Sequence, residues 1–455
     1  MANLPSAFKQ TIQQKLGDEF TAFEQSLEEF SPVSVRVNPR KQNKIRSEAS
    51  VPWTGMGFYL HERPKFTFDP LFHAGTYYVQ EASSMFLEQV FKQHISTTSL
   101  NVLDLSAAPG GKSTHIVSLL DDKSLLVSNE VIRTRANILA ENLLKWGFPN
   151  SIVTNNDPQD FARLEGFFDV IVVDAPCSGE GLFRKEPASV NEWSPENVTL
   201  CASRQRRILA DVWPALKENG ILIYSTCTYN DLENEENMKW LSENHAIEFL
   251  SISTENSSGV TESVVNSVKG YRFFPHRVKG EGFFISVLRK KEQARDNLRP
   301  KSTLSVASKK TKEGLTRWIT SADTFEFFQH QDFVFIFPKA KIQELEIVKQ
   351  NLRLVQAGTT LASTKHDKLI PEHGAAMSVF LNQSTFESAE LEIQQAIQYL
   401  RRETFEWTDQ PRGFQLMKYQ GVPLGWINSL GNRFNNLYPI DWRIRSTPGD
   451  KSPGN

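Results

Sequence analysis

Between residues 100 and 290, short and largely apolar runs recur, each followed by small or polar residues and then by a stretch of helical period. Residues 101–105, 125–128, 151–154, 169–173 and 220–224 are such runs. A strand that alternates apolar and polar positions has one wet face, whereas a run without that alternation must be covered on both faces. The runs therefore predict central strands of a parallel sheet with helices packed on each side. Strand and helix in alternation give an α/β, doubly wound fold. Residues 282–288 predict a late antiparallel strand. FVFIFP and the Gly- and Pro-punctuated segment 414–445 predict short strands of accessory modules. Residues 1–95, with SPVSVRVNPRK and VPWTGMGFYL, read as a small α+β extension. Residues 96–291 form the sheet domain. Residues 292–312, where Ser, Thr and Lys replace core residues, read as a linker. Residues 313–385 make a middle module and residues 386–455 a last one. No internal repeat is present.

A chain of 455 residues exceeds what one ordinary core holds, in keeping with several domains. Three cysteines, no leader-like segment and no long apolar run predict a cytoplasmic protein without disulfides or a membrane partner, whose thiols are free for chemistry. No metal is expected, and a monomer is the default. The net charge of -2 excludes a globally basic nucleic-acid binder. Charge is local instead: Arg289 to Arg317 holds ten Lys or Arg against three acids, and Arg36, Arg40, Lys41, Lys44 and Arg46 form a smaller cluster.

The first strand runs into Ser106, Ala107, Ala108, Pro109, Gly110, Gly111 and Lys112, a loop of small residues that lets a ligand approach the backbone at a helix start. It copies the end of a phosphate-binding P-loop, but the first glycine of that motif would fall at Ser106, and Pro109 removes a backbone donor. Glu130 after the second strand and Asp157 after the third supply acids at the same edge, where ribose hydroxyls are held in folds of this type. The combination fits an adenosine-containing ligand that does not demand phosphates, S-adenosylmethionine rather than NAD or ATP.

The fourth and fifth strands deliver DAPCSGEG around Cys177 and YSTCTYN around Cys227, fifty residues apart, over the same crevice. A methyl donor beside a thiolate predicts methyl transfer assisted by covalent attack. Carbon 5 of a pyrimidine is a poor nucleophile until a thiolate adds to carbon 6. One cysteine attacks and the other helps release the product, and Asp174 is placed to hydrogen-bond or protonate the ring nitrogen that gains electron density.

LDLSAAPGGKST, DAPCSGEGLFRKEP and STCTYNDLENEE resemble the signature blocks of the RNA cytosine C5-methyltransferases of the Sun/Fmu (NOL1/NOP2/Sun) family, and the whole chain is similar to its RsmF-like branch. The resemblance implies a Rossmann-like methyltransferase sheet, with SVRVNPRK and YYVQEASSM in an N-terminal RNA-binding extension and GVPLGWINSLGNRFNNLYP in a PUA-like RNA-binding end. It implies methylation of carbon 5 of cytosine in 16S ribosomal RNA, with ribosomal RNA or the small ribosomal subunit as partner and a role in rRNA processing. Cys227 is then the nucleophile and Cys177 the release residue. Residues 106–112, Glu130, Asp157 and Asp174 bind S-adenosylmethionine, while Lys185, Arg36 and Pro176 face the substrate. A transfer RNA cytosine C5-methyltransferase and a noncatalytic ribosome-assembly RNA-binding protein are the alternatives.

A DNA cytosine C5-methyltransferase would use Pro176-Cys177 with Glu196-Asn197-Val198, but Ser194-Pro195-Glu196 already reads as a helix start and that arrangement leaves Cys227 idle. Cys201 falls in a helical pattern and reads as structural. The target cytosine must leave its stack to meet the thiol, and Trp426 or Phe434 offers a stacking surface, with core packing the competing role.

Overall fold

The computed structural model describes residues 4–446 except 43, 44, 46, 48, 97, 256, 266, 295–297 and 367. Lys44 and Arg46 of the basic cluster lie outside the described residues. Numbered along the chain, the central sheet holds β1 (Asn101–Asp104), β2 (Leu125–Asn129), β3 (Ser151–Thr154), β4 (Phe168–Asp174) and β5 (Leu216–Thr226). It continues with β6 (Ile247–Phe249), β7 (Thr261–Val265), β8 (Val268–Phe273), β9 (Phe283–Lys290) and β10 (Leu354–Ala357). The spatial order is β7-β8-β9-β5-β4-β1-β2-β3-β10, with β6 also on β9. From β3 to β5 every pairing is parallel, while β9 runs antiparallel to β5 as expected.

The runs lack alternation because both faces are covered. Val102, Leu126, Val170 and Ile223 point into one buried cluster, and their neighbours Leu103, Val127, Ile171 and Leu222 into the other. Each such side chain contributes about 1.5–3 kcal/mol by leaving water, so a charge at Val127 would strand in a dry layer. Helices α1 (Gly111–Leu119), α2 (Arg133–Trp146), α3 (Pro195–Val212) and α4 (Glu235–Asn244) cover the faces. β5 starts four residues earlier than its apolar run, because Lys217, Glu218 and Asn219 are strand residues that hydrophobicity does not reveal.

Three smaller sheets surround this unit. Ala49–Ser50, Gly57–Leu60, Val33–Val37 and Tyr77–Val79 make a four-stranded N-terminal sheet. In front of it, the helices Ser6–Leu16 and Phe20–Ser26 bring Phe8 and Phe23 against Tyr229, two residues after Cys227. Ser305–Val306, Phe325–His330, Phe333–Pro338, Thr359–Lys365 and Lys368–Pro371 form a five-stranded sheet. Ser388–Glu390, Gly413–Tyr419, Val422–Ser429 and Phe434–Asn436 form the last one.

The reading of 292–312 as a linker is corrected in part. Ser305–Val306 is a strand, and Ser308 caps a helix over Lys309–Thr316. Glu346 accepts the amides of Thr303 and Leu304 at 2.8 and 3.0 Å, so polar contacts order a segment that lacks core residues. β10 lies antiparallel on β3 and covers an edge that would otherwise be open. Hydropathy gives no sign of it, since all four of its residues are only half-buried.

Candidate active site

Strand order reverses between β1 and β4, and the crevice at their carboxyl ends is where doubly wound sheets bind ligands. The loop after β1 turns through Gly110 at φ +118°, where an added Cβ would stand 3.3 Å from Leu139 Cδ1. The Ala107 amide donates to the Asn129 carbonyl (2.8 Å), Arg135 to the Ala108 carbonyl (2.9 Å) and Asn142 to the Pro109 carbonyl (2.8 Å), so α2 and the end of β2 hold the loop.

Acids ring this loop. Glu130 is buried, accepts the Ile132 amide at 2.9 Å and lies 3.5 Å from Arg135. Asp157 caps the short helix Pro158–Leu164 and lies 3.5 Å from Arg207. Asp104, the last residue of β1, is fully buried: Oδ2 accepts from Ser113 at 2.6 Å while Oδ1 has no partner. Burial, aided by Asp174 and Glu130, raises its carboxyl to about 7 against the opposing Ser113 and Lys112. A buried acceptor without a partner, in the company of further acids, suits a cationic ligand better than phosphate. The adenosine-and-sulfonium chemistry of S-adenosylmethionine fits these residues.

Asp174 at the end of β4 accepts from Ser225 at 2.8 Å and pairs with Lys112 at 2.7 Å. Burial would lower the Lys112 ammonium, but Asp174 and Asp104 hold it above its ordinary range, and it sits 5.4 Å above the Phe283 ring. Just beyond the ends of β4 and β5, Cys177 Sγ and Cys227 Sγ meet at 3.1 Å as free, half-buried thiols. The Cys227 sulfur at its side, burial and the Glu233 carboxylate push the Cys177 thiol well above its usual range.

Pro176, which precedes Cys177, and Lys185 are exposed. Arg36, expected to contact RNA, is instead fully buried. Its guanidinium donates to Gln80 Oε1 (2.8 Å), the Gly111 carbonyl (3.2 Å), Thr114 Oγ1 (2.6 Å) and the Thr114 carbonyl (3.4 Å), and lies 4.6 Å from the Trp146 ring. The inner face of Val33–Val37 is closed by α1 and α2, so a phosphate has no access. Trp426 is buried and donates to the Glu372 carbonyl, and Phe434 packs 4.8 Å from Phe405; both aromatics serve packing. Ser194 caps α3 by accepting the Asn197 amide at 3.1 Å, and Cys201 is buried in that helix.

Sequence reading also missed Glu180, Glu233 and Gln205, which are buried around the cysteines. Charged residues inside GEG and ENE, next to the thiol motifs, were the available signal. Among the described residues no group of three or more His, Cys, Asp or Glu is arranged to hold a metal ion, and no helix is long and apolar enough to cross a membrane.

Comparison with known proteins gives three consecutive family matches: the N-terminal domain of 16S rRNA methyltransferase RsmF over residues 4–82, 16S rRNA methyltransferase RsmB/F over residues 95–289, and the methyltransferase RsmF PUA domain over residues 386–444. Ribosomal RNA small subunit methyltransferase F of Pectobacterium carotovorum subsp. carotovorum (strain PC1) is 30% identical over 97% of this chain and 96% of its own length. The protein of the same name from Salmonella agona is 31% identical over 86% of this chain and 83% of its own. A solved methyltransferase homologue from Pyrococcus horikoshii is 27% identical, with a TM-score of 0.55 over 64% of this chain and 96% of that one.

Proposed function

Because the chain belongs to the RsmB/RsmF family of 16S ribosomal RNA methyltransferases, we propose that it methylates carbon 5 of a cytosine in 16S ribosomal RNA, with Cys227 as nucleophile and Cys177 as the residue of release. It is an S-adenosylmethionine-dependent methyltransferase with a C-terminal PUA domain. The observation that carries the assignment is the 3.1 Å contact of two thiols beside Asp174 at the edge of the sheet. A single-cysteine chemistry gives the second thiol no task.

The Cys227 thiolate adds to carbon 6 of an unstacked cytosine, and the ring electrons become available at carbon 5. Asp174 stabilises the density that builds on the ring nitrogen by hydrogen bonding or protonation. Its partners Ser225 and Lys112 fix its direction. S-adenosylmethionine would be held by residues 106–112, Glu130, Asp157 and Asp174 and would supply the electrophilic methyl group. The proton on carbon 5 then leaves to solvent, the carbon–sulfur bond breaks and the electron pair returns to Cys227. Cys177, still carrying its proton, stabilises the departing sulfur through the contact they share. Lys185 and Pro176 line the approach of the RNA. The PUA domain sets its register through phosphates, and the partner is ribosomal RNA, free or in the small subunit.

The test uses ribosomal RNA, small subunits and transfer RNA carrying tritium at cytosine carbon 5. The expected result is one tritium released per methyl incorporated, from ribosomal RNA or small subunits. Methylation without tritium release would overturn carbon 5 as the target, and methylation of transfer RNA alone would overturn the substrate.

A further inference from the structure

The two cysteine loops hold each other in place, and different buried carboxylates do the holding. Glu233, which follows Cys227 in the chain, grips the Cys177 loop: its Oε2 accepts the Ser178 amide at 3.0 Å and Gln205 Nε2 at 2.7 Å. The same Gln205 Nε2 donates to the Pro176 carbonyl at 3.0 Å. Cys177 thus lies between two anchored peptide groups, one on each side, and the anchors are bonded to each other. Glu180, which follows Cys177, grips the other loop. Its Oε2 accepts from Thr228 Oγ1 (2.7 Å) and from the amides of Tyr229 (2.8 Å) and Asn230 (3.0 Å). The Gly181 amide donates to the Cys227 carbonyl at 2.8 Å.

Glu233 and Gln205 are fully buried and Glu180 nearly so. Asn230 bridges the two clamps, donating to Glu233 Oε1 at 2.7 Å and Glu180 Oε1 at 3.2 Å. On the reading that Cys227 attacks and Cys177 assists release, we infer that Glu233 and Gln205 are positioning residues of the release step, keeping the Cys177 sulfur on the Cys227 sulfur. Glu180 does the corresponding work for the attacking loop. Neither carboxylate needs to touch RNA or cofactor, since a shift of about 1 Å in a reacting group costs about 10²-fold in rate.

This division of labour gives opposite phenotypes from two buried carboxylates a few ångströms apart. Full-length Glu233→Leu and Gln205→Met are incubated with S-adenosylmethionine and substrate RNA, and the covalent protein–RNA band is quantified on a denaturing gel beside Cys177→Ala, Cys227→Ala and Glu180→Leu. Release slowed about 10²-fold makes the adduct accumulate in Glu233→Leu and Gln205→Met, as in Cys177→Ala, while Glu180→Leu forms none. Glu233→Gln, which can keep an acceptor on the Ser178 amide, restores turnover. Gln205→Met, close in volume, carries the test if Glu233→Leu does not fold. An adduct in Cys177→Ala but in neither of the two grip variants overturns the inference alone, as does an adduct of equal strength in Glu180→Leu. No adduct in Cys177→Ala overturns the cysteine roles, and the inference with them.

Discussion

Replacing Arg36 by Met separates a buried brace from an RNA contact. The side chain keeps its length, but the Gln80 amide oxygen loses its donor, while the carbonyls of Gly111 and Thr114 keep the hydroxyls of Thr114 and Ser118. The buried acceptor left alone costs about 1–3 kcal/mol, and the stacking on Trp146 is worth about 2 kcal/mol when dry. Relief of the guanidinium desolvation offsets part of this, so the expected loss is about 2–4 kcal/mol. With an unfolding entropy of about 2.1 cal/mol/K per residue, a cooperative chain of 455 residues loses about 1 °C per kcal/mol, hence about 2–4 °C. Because Gly111 and Thr114 sit in the first turn of α1, directly after the cofactor loop, S-adenosylmethionine affinity should fall about tenfold, equivalent to about 1.4 kcal/mol. Calorimetry reads both quantities. RNA binding titrated against salt should keep its slope, whereas a lost phosphate contact lowers that slope by about 0.7–0.9. An unchanged midpoint with a shallower salt slope would refute the burial argument.

Three further outcomes follow from the site. Gly110→Ala forces a Cβ into a φ of +118° and to 3.3 Å from Leu139, so cofactor affinity falls in a binding titration, with a strain of about 1–2 kcal/mol. Gly181→Ala would place a Cβ 2.4 Å from the Gly282 carbonyl oxygen and 2.9 Å from that of Cys227; methylation should drop about 10²-fold while cofactor binding is kept, as read by turnover beside calorimetry. The Asp104 carboxyl is raised from its ordinary 3.8 to about 7, so the folded state holds a proton that the unfolded chain has released. Its contribution to stability is complete below about pH 4 and is lost as pH rises to 7, at most about 4 kcal/mol at 1.36 kcal/mol per unit. Asp104→Asn should therefore flatten the decline of the cofactor-free midpoint between pH 4 and 7, and an unchanged pH profile would contradict the shift.

The central strands were legible because burial on both faces removes polar alternation, and the cysteines because two thiol motifs followed such strands. Asp174, Glu130 and Asp157 could be picked from strand ends alone. Tertiary partners could not. Arg36 carries the same charge in a sequence whether it meets a phosphate or three carbonyls, and only the closing of α1 and α2 over Val33–Val37 decides between them. β10 owes its existence to an open edge on β3 rather than to its own residues. Nothing in the local sequence marks Glu180 and Glu233 as buried, because the amides they hold lie about fifty residues away along the chain.

The assignment of the nucleophile is tested most directly by substrate RNA in which cytosine carries fluorine at carbon 5. After methyl transfer that carbon has no proton to lose, so elimination is blocked and the attacking cysteine stays bonded to the base. Proteolysis and mass spectrometry of the trapped complex should find the nucleotide on the peptide containing Cys227. A nucleotide on the Cys177 peptide would contradict the account and give the two thiols the opposite roles.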